Sequence, residues 1–301
     1  MNNLGKDLLS FTWHNNTSGP FERIDMSRIE EAIEKAAQKR GHSDTPKTIR
    51  PPTRETQSPL PPTPSVVDIA TPFLVSANAP NSPVAEEYRK LKSILVKLVS
   101  QEDEFKNTLM VTSCLAGEGK SITSLNLAIS LAQEYDHTVL LVDGDLRKPS
   151  LHKYLGIEAE RGLSDCLLHG VDVGDVLIKT GVGKLSLLPA GARPSNPGEL
   201  FSSQKMRELI GEMKHRYPDR FIIIDTPPII PFSECRSLAP TVDGVLFVVM
   251  EGVVTLDTIK EGFDALKGSN MLGIVYNQAA NSGLRKDYYY YYTDPAARKT
   301  A

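Results

Sequence analysis

Two glycines, a lysine and a serine close the stretch TLMVTSCLAGEGKS at 108–121, where an apolar run gives way to Gly117, Gly119, Lys120 and Ser121. An ammonium and a hydroxyl on a glycine-rich turn suit one chemistry, the cradling of a polyphosphate. The glycines let the chain curl without Cβ clashes, so successive N–H groups converge on phosphate oxygens at a helix N-terminus. Lys120 then reaches the β- and γ-phosphates while Ser121 holds Mg²⁺. The eight-residue form of this loop begins with glycine, and here Cys114 stands in that place. By itself the stretch therefore also reads as a plain strand, turn and helix.

Two more apolar runs end in acids. Residues 139–142 lead into Asp143, Asp145, Arg147 and Lys148, and residues 221–224 lead into Asp225, Thr226, Pro227 and Pro228. A carboxylate at the end of a buried strand needs a partner or a metal. A strand is expected in the apolar run that opens 108–121, and further strands at 139–142, 185–188, 221–224, 245–250 and 271–276, with helices at 121–134, 200–217 and 255–267 between them. Strands that are apolar throughout and alternate with helices imply an α/β fold, a doubly wound, mostly parallel sheet covered on both faces. Ligands bind such sheets beyond the carboxyl ends of the strands, where all three motifs lie, so together they define a phosphate and Mg²⁺ site.

The rest of the chain is of other kinds. Residues 1–25 are polar and mixed and receive no assignment. In the N-terminal region, 1–41, a short amphipathic helix is expected from Met26, with the Ser27 and Glu30 capping-box pair and Gly41 as its stop; it reads equally as a loosely packed arm or a docking helix. Residues 42–83 carry recurrent prolines and read as an extended linker. The folded domain, 84–284, opens with a helix whose apolar stripe is Val84, Tyr88, Leu91, Leu95 and Leu98, with Glu86, Arg89 and Lys92 on another face. Beyond it, 285–301 is a tail in which Tyr288, Tyr289, Tyr290, Tyr291 and Tyr292 stand in succession, and five consecutive phenols cannot all face a core.

Composition narrows the class. The chain has 301 residues, a formal charge of −3 and a pI near 6.1, which gives no global pull toward nucleic acid. Three scattered cysteines form neither a disulfide framework nor a metal motif, which favours a reduced, cytoplasmic setting. No stretch approaches the ~20 apolar residues that span a bilayer, so membrane association is expected only through a partner.

With these motifs on the page, the chain from about Ser82 onward resembles the bacterial tyrosine kinases (BY-kinases) of exopolysaccharide and capsule export. The resemblance makes Ala116, Gly117, Glu118, Gly119, Lys120 and Ser121 the Walker A stretch of a P-loop NTPase-like fold. Asp143, Asp145 and Arg147 become the Walker A′ motif, and 224–228, with Asp225, becomes Walker B. It implies ATP and Mg²⁺ as cofactors, with Ile122 and Asn277 as additional nucleotide contacts, and Tyr288 to Tyr292 as the autophosphorylated cluster. Ser121 would bind Mg²⁺ directly, and Asp145 and Asp225 directly or through water. Asp143 would orient or deprotonate the incoming tyrosine hydroxyl, and Arg147 would either stabilise γ-phosphate charge or anchor its own motif.

Glu86, Arg89 and Lys92 are similar to the family's E-x-x-R-x-x-R oligomerisation motif, although lysine cannot reproduce a bidentate guanidinium contact. Ala116 stands where the family commonly has proline. The implied partners are further copies in a homo-oligomeric ring, a membrane polysaccharide co-polymerase or chain-length regulator as activator, and a cognate tyrosine phosphatase. The setting is then cytoplasmic, peripheral to the inner membrane. The N-terminal helix and linker are similar to those of exosortase-linked tyrosine autokinases. Two other readings share the fold: a partitioning-type ATPase, which carries a lysine where this chain has Leu115, and an ATP-binding scaffold without kinase activity.

Overall fold

The computed structural model describes the backbone of residues 8–12 and the full residues 71–99, 106–134, 137–216 and 220–279. Runs of valine, leucine and isoleucine become central strands because they fill both faces of a sheet at once. The strands are β1 (Leu8–Thr12), β2 (Thr108–Ser113), β3 (Thr138–Asp143), β4 (Ile178–Lys179), β5 (Leu185–Leu188), β6 (Arg220–Asp225), β7 (Gly244–Met250) and β8 (Met271–Ala279), in the order β1-β8-β7-β2-β6-β3-β5-β4. The six inner strands are parallel, and the edge strands β1 and β4 are antiparallel to their neighbours.

The helices are α1 (Val75–Asn78), α2 (Pro83–Val99), α3 (Lys120–Ala132), α4 (Leu151–Tyr154), α5 (Leu163–His169), α6 (Val173–Val176), α7 (Pro197–Phe201), α8 (Gln204–Arg216), α9 (Glu234–Leu238) and α10 (Leu256–Ala265). Alternate strand residues feed two cores. Met110, Leu140, Ile222, Ile224 and Phe247 meet α5, α8 and α9 on one face. Leu109, Val111, Leu141, Ile223 and Val248 meet α2 and α3 on the other. Helix α3 is buried along nearly its whole length, from Thr123 to Ala132, and so fixes the P-loop to the second core.

Four expectations are corrected. The stretch 1–25 is not without structure, because Leu8–Thr12 covers the open edge of β8, whose backbone groups would otherwise lack partners. The 42–83 linker ends early, since Thr71–Ser82 belongs to the fold: Leu74 is fully buried, and the carboxamide of Asn126 accepts from the Ser76 N–H (2.9 Å) and donates to the Phe73 carbonyl (2.9 Å). The helix expected at 200–217 breaks into α7 and α8, because the Ser202 hydroxyl donates to the Gly198 carbonyl (2.8 Å) and the Ser203 hydroxyl accepts from the Met206 N–H (3.1 Å). The buried stripe of α2 runs through Ala85, Tyr88, Leu91, Leu95 and Val99 rather than Val84 and Leu98. The helix expected from Met26 and the tyrosine tail lie outside the described residues.

Asn126→Ala leaves the buried Ser76 N–H and the partly buried Phe73 carbonyl without this partner, and should cost ~2 kcal/mol of unfolding free energy. Urea denaturation with an unchanged midpoint would show that 71–78 is not part of the cooperative unit.

Candidate active site

Strand β2 stops at Ser113, and the chain turns through Gly117 (φ +90°) and Gly119 (φ +91°) before α3 starts at Lys120. Gly119 is constrained twice, because an added Cβ would also lie 2.1 Å from the Asn277 Nδ2. Ala116 and Gly117 stand exposed at the crest of the loop. Glu118 points the other way. Its carboxylate is fully buried, one oxygen accepting from the Leu115 N–H (2.5 Å) and the other from the Met250 N–H (3.2 Å). Burial pushes the Glu118 carboxyl up, and these backbone donors only partly oppose it. The Glu118 side chain therefore braces the loop, leaving its peptide N–H as the part that can face a phosphate.

Three carboxylates meet at the ends of β3 and β6. Asp143 and Asp225 are register partners on these adjacent strands, and Asp145 follows on the loop. Asp143 accepts through one oxygen from the Ser150 and Leu151 N–H groups (3.1 Å each), while its Oδ1 is buried without a partner. Burial, together with the Asp225 charge, pushes the Asp143 carboxyl up to about 7. Asp225 accepts from the Ser124 hydroxyl (3.2 Å) through one oxygen, and its Oδ2 has no partner. Burial raises its pKa, and the Lys120 charge opposes that. The Lys120 Nζ lies 3.1 Å from Asp145 and 3.3 Å from the Ser121 hydroxyl. Burial would lower this ammonium's pKa, but Asp225, Asp145 and Asp143 outweigh it and raise it.

These residues fit a divalent cation that phosphate helps to bind. Two buried carboxylate oxygens lack any partner, and Ser121 is partly exposed beside them. Among the described residues no cluster of three or more His, Cys, Asp or Glu side chains is placed to hold a metal ion.

The other expected site residues have partners of their own. The Arg147 Nε donates to Glu234 (2.6 Å), and its guanidinium lies 4.3 Å from the Phe232 ring centroid, which favours the anchoring alternative over contact with a γ-phosphate. Ile122 packs against the second core, and Asn277 donates to the Glu118 carbonyl (2.9 Å). On α2, Glu86 and Arg89 pair with one another (2.7 Å), while Lys92 turns away to Glu134 on the turn after α3. Sequence reading missed Ser124 and Glu234. Ser124 was findable, lying one turn beyond Lys120 on the same helix face; no sequence signal marks Glu234 as the partner of Arg147.

Comparison with known proteins agrees with this geometry. Residues 107–264 match the family model described as AAA domain. The putative tyrosine-protein kinase CapB of Staphylococcus aureus is 33% identical over 215 residues, 71% of this chain and 92% of that protein. The tyrosine-protein kinase YwqD of Bacillus subtilis is 33% identical over 206 residues, 68% of this chain and 85% of that protein. Among solved structures, the kinase domain of Escherichia coli tyrosine kinase ETK aligns with a TM-score of 0.63 at 29% identity, covering 70% of this chain and 83% of that one.

An acid whose folded pKa lies above its unfolded value disfavours folding as it ionises. For Asp143 the contribution is most favourable below ~3.9, declines as pH rises, and levels off above about 7. In metal-free, nucleotide-free protein, Asp143→Asn should therefore gain thermal stability relative to wild type between pH 5 and 7.5. Parallel melting curves across that range would contradict the assignment.

Proposed function

Since the chain belongs to the bacterial tyrosine-protein kinases, we propose that it transfers the γ-phosphoryl group of ATP, with Mg²⁺, to Tyr288, Tyr289, Tyr290, Tyr291 and Tyr292 of a neighbouring copy. The reading rests on one observation above all. A single ammonium, Lys120, sits among Asp143, Asp145 and Asp225, two of which carry a buried oxygen without a partner. That balance is incomplete until cationic charge arrives with the nucleotide.

Phosphoryl transfer demands positioning and charge neutralisation more than covalent chemistry. Lys120 and the N–H groups of 116–121 hold the β- and γ-phosphates. Ser121, Asp145 and Asp225 would hold Mg²⁺, which would supply neutralisation of phosphate charge. Lys120 and Asp145 neutralise one another at 3.1 Å and exchange this pairing for phosphate and cation respectively. The tyrosine oxygen bonds to Pγ as the bond from Pγ to the bridging oxygen breaks; ADP leaves, and the phenolic proton passes to the unpartnered Oδ1 of Asp143. A phenol of pKa ~10 outlasts a carboxylate near 7 as a proton holder, so this transfer comes late in a loose transition state. Arg147, held by Glu234, keeps the Asp145 loop in place.

Glu86 and Arg89 are 38% and 41% exposed on α2 and are the residues available for a ring interface, whereas Lys92 serves its own protomer. Phosphorylation adds roughly −1.5 to −2 charges per tyrosine and drives such a ring apart. We assign this cycle to control of exopolysaccharide polymerisation and export, with a membrane co-polymerase as activator and a tyrosine phosphatase to reset the tail. Among the described residues no helix is long and apolar enough to cross a membrane; we assign inner-membrane association to that partner.

Purified protein with Mg²⁺ and ATP should give an anti-phosphotyrosine signal on the tail that Lys120→Met abolishes. Asp143→Asn should leave a measurable signal, at least ~10-fold above whatever Lys120→Met retains. The Lys120→Met chain incubated with an active, tail-deleted chain should become labelled; its failure to do so would sink transfer between copies.

A further inference from the structure

Strand β8 departs from regular register twice, at Leu272 against β7 and nearer its end against β1. Against β1, Ser10 lies opposite Tyr276 and Leu8 opposite Ala279, so β8 has one residue more than its partner over that interval. The extra residue makes a β-bulge, and Gln278 within it has φ +53°, the one left-handed non-glycine residue among those described. Bulges re-aim side chains and gather beside active sites, and a left-handed glutamine persists only where its surroundings hold it there. Here both sides of the bulge are tied. The Asn277 Oδ1 accepts from the Gln278 N–H (3.0 Å), the Asn277 carbonyl accepts from the Glu251 N–H (3.0 Å), and the Asn277 Nδ2 donates to the Glu118 carbonyl (2.9 Å).

Resting on the nucleotide reading above, we propose that Asn277 is a positioning residue for the phosphate loop, aimed by the β8 bulge, and not a contact to the nucleotide base. The Glu118 peptide is then gripped from two strands. Its carbonyl takes the amide of Asn277 on β8, and its carboxylate takes the N–H of Met250 on β7. With that peptide unit fixed, its neighbours Gly117 and Gly119 hold their left-handed geometry, the condition for the loop's N–H groups to face a phosphate. The close approach at Gly119 has the same origin, because the amide nitrogen fills the space where a side chain would stand.

The test uses the full chain with Mg²⁺ and three probes: ATP, GTP and inorganic tripolyphosphate. Asn277→Ala should weaken all three by about the same factor, ~5- to 30-fold, leaving the ATP to GTP ratio unchanged. Asn277→Asp keeps the shape but turns a carboxylate toward the Glu118 carbonyl, and should bind more weakly still. Gln278 has an exposed side chain, so its variants report on backbone alone. Gln278→Gly should bind like wild type and melt higher, while Gln278→Ile, which resists the left-handed region, should lose affinity as Asn277→Ala does. Loss confined to ATP, or Asn277→Asp binding better than Asn277→Ala, would overturn the proposal in favour of a base contact or simple packing. Wild-type protein that binds none of the three probes would overturn the nucleotide reading and this inference with it.

Discussion

One buried ammonium facing three buried carboxylates is the constraint around which the rest is built. Lys120 cannot balance Asp143, Asp145 and Asp225 together, and charges held out of water at such proximity are tolerable only with donors or counter-charge. The fold supplies part of this from its backbone. The first N–H groups around α4 take one oxygen of Asp143, and the Ser124 hydroxyl takes one of Asp225. The remaining deficit is left for a ligand. A sheet with the β2, β6 and β3 ends adjacent is what brings the ammonium and the acids together, since β2 and β3 both flank β6.

The same economy extends outward. Glu118 and Asn277 hold the loop from β7 and β8, Arg147 and Glu234 tie the acidic loop to α9, and Asn126 fastens Thr71–Ser82 to the buried helix that starts at Lys120. Each tie uses a polar side chain with its partners satisfied, which is the condition for burying such groups at little net cost. Tyr88 is almost wholly buried on α2, and burial pushes its phenol up to about 12, so it is packing material.

Strands β3, β5, β6 and β7 were legible in the sequence to within a residue or so at each end, and β2 by its start, because continuous apolar runs have few other homes in a chain of this size. The three acidic and glycine-rich strand ends were legible for the same reason, as exceptions to those runs. Less visible were the directions of side chains. Nothing in the spacing of Glu118 tells that it turns inward, or that Lys92 spends its charge on Glu134, because each depends on a partner far away in the chain. Arg147 was left between two roles until Glu234 came beside it. Strand β1 escaped notice because an edge strand is selected by the backbone groups it covers rather than by its own pattern.

Ser10 at the start of the chain lies opposite Tyr276 near the end of the described part. Contacts of that sequence separation close late, after the loop entropy of everything between has been met. During synthesis the glycine loop therefore emerges long before Asn277 can reach it, and β1 waits for its partner strand. The brace on the glycine loop is completed only as β8, the last strand among the described residues, joins the sheet, so the loop takes its final form no earlier than the sheet does.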